Sequence, residues 1–136
     1  MNLFSTRLIV NDIKKMVGFY EYITEREADW LVPVFAELKT EKAHLAFGSI
    51  ETVALFKEGC AEPSSNRTAI LEFLVDDVDK EFERLENKVD LVHSPKDMPW
   101  GNRTFQFRDP EGNLVSFFTP KTSAAKDRFN LCHRQA

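Results

Sequence analysis

Apolar and polar positions along this chain fall into two runs of the same order. Phe4 to Val10 (FSTRLIV) has the composition of a strand. Asp12 then stands as a helix N-cap ahead of IKKMVGFYEYI, whose Ile13, Met16, Val17, Tyr20 and Ile23 recur at helical spacing. Three short strands are predicted next, at Val32 to Leu38, His44 to Phe47 and Ile50 to Phe56, divided by polar residues or glycine. The order then restarts. Ala69 to Val75 (AILEFLV) reads as a strand, and Asp77 as a second N-cap before VDKEFERLENK, with Val78, Phe82 and Leu85 on one face. Strands follow at Asp90 to His93, Thr104 to Arg108 and Asn113 to Phe118. Between the last two, Asp109-Pro110-Glu111-Gly112 predicts a tight turn, because proline presets φ at its second position and glycine tolerates the closing geometry.

The chain is therefore an internal repeat of βαβββ units. VNDI (Val10 to Ile13) meets VDDV (Val75 to Val78) at an offset of 65, and Lys15/Lys80 and Glu21/Glu86 keep the same offset. The order of elements carries the repeat more than these few identities do. Ala61 to Arg67 (AEPSSNR) is the linker. The expected organisation is one domain over residues 1–120, with a first module at 3–58, a second at 68–120, and a basic tail at 121–136.

Three segments, VNDIKKMVGFYE, LVDDVDKEFERLE and WGNRTFQFRDPEGNLVSFFTP, resemble the vicinal oxygen chelate superfamily. Glyoxalase I, extradiol dioxygenases, fosfomycin-resistance thiol transferases and bleomycin-binding proteins belong to it. The resemblance spans about residues 3–120 and is strongest at the DPEGN hairpin. It implies an α+β fold in which two βαβββ modules, set edge to edge, form a half-open mixed-sheet barrel. It also implies cups lined by both modules, sometimes from two chains, and hence a homodimer. Metal-using members carry a histidine on the first strand of each module and a glutamate or similar residue on the last. Carried over by position, these sites fall on Ser5, Ala54, Ile70 and Ser116, none of which offers the imidazole, carboxylate or thiolate that such metals require. A slip of two residues gives Arg7, Phe56, Glu72 and Phe118, which is no better. His44 in the third strand, His93 near a loop and His133 in the tail offer little rescue. The resemblance thus implies no metal and no cofactor, and points to the binding branch, where a small compound is held without chemistry. The alternative is a metal-dependent glyoxalase-type lyase or isomerase, thiol transferase or dioxygenase with other ligands.

Period-two alternation divides each strand into two faces. Leu8, Val10, Leu71, Phe73, Val75, Phe105, Phe107, Val115 and Phe117 are expected to pack. Ser5, Arg7 and Ile9, Thr52, Ala54 and Phe56, Ile70, Glu72 and Leu74, Thr104 and Gln106, and Leu114, Ser116 and Phe118 are left for a cup. The candidate ligand-binding residues are Arg7, Phe56, Glu72, Trp100, Gln106, Ser116 and Phe118. Arg7 and Glu72 are repeat equivalents. The implied arrangement brings them to the cup floor, either as a structural ion pair or as a polar anchor for a ligand. Trp100 either closes the core edge or stacks on a ligand at the mouth, and Trp30 either does likewise or enters a dimer contact. Asn102 and Arg103 are expected at a solvated rim.

Charge narrows the ligand. The 136 residues carry 18 basic and 22 acidic side chains, net −4, and the tail after Pro120 is itself +3. The body is thus strongly acidic, which disfavours nucleic acid and favours a small aromatic or cationic organic molecule. Cys60 and Cys132 lie far apart in no metal or redox pattern, as expected of free thiols in a reducing cytoplasm. No run is apolar and long enough for a membrane span. No nucleophile–base constellation and no glycine-rich phosphate cradle is visible. Phe129 and Leu131 suit a tail that docks on the body or on a partner subunit.

Overall fold

The computed structural model describes residues 1–135, with side chains through residue 130. The expectations placed on Leu131, Cys132 and His133 therefore concern side chains outside the described residues. Elements run β1 (Ser5–Val10), α1 (Ile13–Thr24), β2 (Asp29–Val32), β3 (Phe35–Lys39), β4 (His44–Ser49) and a 3₁₀ helix, η1 (Ile50–Leu55). They continue as β5 (Ile70–Leu74), α2 (Val78–Leu85), β6 (Asp90–Asp97), β7 (Asn102–Arg108), β8 (Leu114–Pro120) and α3 (Ser123–Gln135). The fold class is α+β, with βαβββ twice. The chain divides into two compact units, residues 1–66 with 110–112, and residues 67–109 with 113–136.

In the first unit the sheet order is β1-β4-β3-β2, with β1 parallel to β4 and the other pairs antiparallel. Asp12 caps α1, its carboxylate accepting from the Lys15 backbone N–H at 3.1 Å. The helix buries Met16, Val17, Tyr20 and Ile23, and the Tyr20 ring lies 5.3 Å from that of Phe47 on β4. Leu8, Val10, Leu38 and Phe47 share that face.

The second unit repeats the plan, with order β5-β8-β7-β6 and β5 parallel to β8. Asp77 caps α2 by accepting from the Lys80 N–H at 3.2 Å. Phe73, Phe82, Phe105, Phe107 and Phe117 make one aromatic cluster between α2 and the sheet, with ring centroids 5.4–5.7 Å apart. Full burial of each such ring contributes about 1.5–3 kcal/mol, so the phenylalanine-rich sequence is chiefly the core of this unit.

Three boundaries differ from the sequence expectation. Ile50 to Phe56 is not the fourth strand. Ser49 ends β4, its hydroxyl accepting from the Glu51 N–H at 3.3 Å, and Ile50–Leu55 turns into η1. The fourth strand is His44–Ser49, and an additional strand, Asp29–Val32, pairs with Phe35–Lys39 across a turn at Pro33-Val34. In the second unit β6 runs past His93 to Asp97, with register shifts between Leu91 and His93 and between His93 and Lys96. Pro95 is tolerated there because β6 is an edge strand with no ladder to supply on its outer side.

Candidate functional site

Each sheet has a face turned away from its helix, and strand register fixes which side chains share it. In the second sheet Glu72 faces Ser116, Ser116 faces Gln106, and Gln106 faces His93. A polar row, Glu72–Ser116–Gln106–His93, therefore crosses all four strands. The matching row in the first sheet is Arg7–Ala46–Glu37–Asp29. Arg7 and Glu72 hold equivalent places in the two rows, as the offset of 65 predicts.

The same register corrects the position carried over from metal-using relatives. Arg7 faces Ala46 as Glu72 faces Ser116, so the counterpart of Ser116 is Ala46 on β4, not Ala54. Ala54 lies in η1, and Thr52, Ala54 and Phe56 do not alternate along a strand at all. The corrected set is Ser5, Ala46, Ile70 and Ser116. Two hydroxyls, a methyl and a butyl chain do not fit a divalent metal, so these positions give one nothing to bind. Among the described residues, no three His, Cys, Asp or Glu side chains converge as a metal site.

Arg7 is an exposed residue whose guanidinium stacks over two rings of its own unit. Its Cζ lies 4.5 Å from the Phe35 centroid and 5.6 Å from that of Phe56. The Arg7 stem passes Gly48, whose missing side chain chiefly leaves room for Thr52. A Cβ there would sit 3.0 Å from Thr52 Oγ1 and 3.7 Å from Arg7 Cδ. Phe56 follows η1 and is 67% exposed. Glu37, on the same face, has no hydrogen-bond or ion-pair partner among the described residues.

In the second unit Glu72 is exposed and Gln106 half-buried, and neither has a partner among the described residues. Ser116 is sunk to 1% exposure. His93 comes onto the open face through the register shift before it. Its Nδ1 lies 2.8 Å from the Ser94 carbonyl. A carbonyl only accepts, so Nδ1 is the donor in this contact. Phe118 also lies on this face, but it is 7% exposed because Phe129 of α3 covers it, ring centroids 5.2 Å apart.

The β6–β7 turn holds Trp100, 60% exposed, outside the core. Beside it a cavity of about 450 Å³ is lined by Asp97, Met98, Gly101, Arg103, Lys121 and Thr122. Arg103 is not a free rim cation. It bonds Asp79 at 3.1 Å and Asp97 at 3.2 Å, and these hydrogen bonds, Asp79 first, hold its pKa above the ordinary guanidinium value. Asn102, expected at a solvated rim, is buried on the other side of β7.

His93 and Glu37 are site residues that sequence alternation does not reveal. Ser94-Pro95 looks like the end of a strand, and nothing in the alternation signals the shift that turns His93 onto the face. Glu37 is hidden because the boundaries of β2 and β3 do not follow the apolar pattern.

Two units of βαβββ, each with a mixed sheet and one open face, define the architecture of the glyoxalase class of folds. Residues 2–117 match the family described as Glyoxalase/Bleomycin resistance protein/Dioxygenase superfamily, and this chain belongs to that family. It is similar to the uncharacterized protein YraH of Bacillus subtilis, with 30% identity over 125 residues covering 87% of this chain and 98% of that protein. Among solved structures, a glyoxalase/bleomycin resistance protein/dioxygenase family enzyme from Burkholderia phytofirmans superposes with a TM-score of 0.78 at 22% identity, covering 88% of this chain and 99% of that one. A glyoxalase/bleomycin resistance protein/dioxygenase from Nocardioides gives 0.75 at 22% identity, covering 90% and 85%. At these identities the structural matches speak for the fold alone. Among the described residues, no helix is long and apolar enough to cross a membrane.

Proposed function

We propose that this chain is a binding member of its family. It holds a small aromatic or cationic organic molecule without a metal, in the manner of bleomycin-resistance-type sequestration. One observation carries this reading: Ser5, Ala46, Ile70 and Ser116 occupy the strand positions to which the resemblance assigns the ligands of metal-using members. A Lewis-acid centre needs donors that these side chains lack, so polarisation of a substrate oxygen has no anchor there. Each unit's open face carries groups suited to retention instead: Phe56 for stacking in the first, and Glu72 and Gln106 for hydrogen bonding in the second. The acidic body favours a cation over an anion.

A homodimer and a cytoplasmic setting belong to the same reading. Strand β2 is a sheet edge with Trp30, Leu31 and Val32 exposed, a surface suited to a second copy. Exposed, unpaired Cys60 suits a reducing compartment.

The test is metal analysis of the purified protein together with fluorescence titration of ethidium, a planar aromatic cation. The expected result is substoichiometric zinc, nickel, manganese and iron, with saturable ethidium binding. One equivalent of tightly held metal that is needed for turnover would overturn the reading in favour of a metal-dependent lyase, isomerase, thiol transferase or dioxygenase.

A further inference from the structure

The second unit's open face carries a ring stacked on a ring. Phe117 and Phe118 are neighbours on β8 and point to opposite sides. Phe117 joins the cluster under α2. Phe118 shares the other side with Leu74 and Thr104, its register partners. On that side Phe129 from α3 lies over Phe118, and the Arg128 guanidinium carbon stands 4.8 Å from the Phe129 centroid. Phe129 thus meets both a phenyl ring and a guanidinium. Phe118 is two residues from Ser116 along β8, so its Cα lies about 7 Å from that of Ser116 in the row Glu72–Ser116–Gln106–His93.

We infer that Phe118 is an aromatic subsite of this face, that α3 fills it with Phe129 when no ligand is present, and that a ligand carrying an aromatic ring and a positive charge displaces Phe129 from it. This rests on the binding reading above. Three features support it. Phe129 keeps part of its surface in solvent, and its removal uncovers the Phe118 ring for a ligand's own ring to cover in its place. The start of α3 is clamped separately: Thr122 Oγ1 accepts from the Ala125 N–H at 3.2 Å, Ala125 is buried, and the Lys121 N–H donates to the Gly101 carbonyl at 2.8 Å. The distal part of the helix can therefore leave while its base stays attached. Finally, Glu72 and Gln106 lie beside the stack with no partner among the described residues. They give a charged, ring-bearing ligand hydrogen bonds that Phe129 cannot make.

The experiment is ethidium titration of the full chain and of Phe129→Ala, with hydrogen exchange of the amides of residues 123–130 in the wild-type protein with and without saturating ethidium. If α3 leaves the subsite open one part in ten, Phe129→Ala tightens ethidium about tenfold. Saturating ethidium should also lower protection along α3 beyond its first turn. Equal affinity of a folded Phe129→Ala and the wild type overturns the inference and leaves the binding reading standing. Unchanged α3 protection at saturation overturns it as well, and needs no variant. Failure of every form to bind ethidium sinks both.

Discussion

The guanidinium carbon of Arg7 lies 4.5 Å from the centroid of Phe35, across the narrow strip left by Gly48. The residue that the repeat equates with Glu72 is thus spent on its own sheet, held by two aromatic rings and by packing of its stem. Such a contact is worth about 0.5–2 kcal/mol according to how far the cation is desolvated. Arg7→Met keeps the apolar stem and removes the charge, and should lower unfolding stability by about 0.5–1 kcal/mol, since the head group is exposed. Arg7→Ala should cost more, because the stem over Gly48 goes too. Urea denaturation of both variants checks this. Equal losses would mean that the stem contributes nothing.

Glu111 is a second fixed point. It sits in the DPEGN turn, and its carboxylate accepts from the backbone N–H of Asn11 at 2.8 and 2.9 Å and from that of Asp12 at 2.9 Å. These donors precede α1 and would otherwise look to water. Hydrogen bonds to a charged group contribute about 1.5–3 kcal/mol each, and less when exposed as here. Glu111→Ala should therefore destabilise by about 1–2 kcal/mol overall. Glu111→Gln, which retains one acceptor, should recover part of that. The midpoint of urea unfolding separates the two. No loss in either variant would reduce Glu111 to a turn residue.

Much of the fold is legible in the sequence because it rests on local chemistry. Asp12 and Asp77 announce their helices through side chains that reach an N–H three residues on, and β5, β7 and β8 alternate as their sequences say. Sequence and structure part where tertiary context decides. Ile50 to Phe56 is short and mostly apolar like a strand, yet the Ser49 cap turns it into η1. Asp29 to Val32 is short and polar-flanked, and its partner is chosen by the turn at Pro33. The site follows the same division. Parity alone places Gln106, Ser116 and Glu72 on one face. His93 reaches it only through a register shift, and the cover over Phe118 depends on where α3 lies, which no periodicity encodes.

Gly101 governs that cover. Its φ is +98°, a region that L side chains avoid, and a Cβ there would collide with Thr122 Oγ1 and press on Ala125. Gly101→Ala combines left-handed strain of about 1–2 kcal/mol with displacement of the α3 base. The expected outcome is a global loss of at least about 1 kcal/mol, with a larger fractional loss of exchange protection in residues 123–130 than in β7. Protection lost evenly across the second unit would show that α3 and the sheet open as one body.

Glu72 separates ligand binding from stability. It lies on edge strand β5, exposed, opposite Ser116, with no hydrogen-bond or ion-pair partner among the described residues. A carboxylate so placed contributes little to folding, and exposed substitutions of this kind change stability by within about 0.5 kcal/mol. Its interaction with a bound cation is of another order, because ligand binding removes water from the pair. Glu72→Gln should weaken ethidium about tenfold, roughly 1.4 kcal/mol, while leaving the urea midpoint within error of the wild type. The effect should shrink as salt is raised from about 50 to 500 mM, by about half or more, since the attraction is screened over roughly 8 Å at physiological ionic strength. A variant that loses stability but binds ethidium as before would make Glu72 a structural residue and remove the anchor on which the cationic ligand class depends.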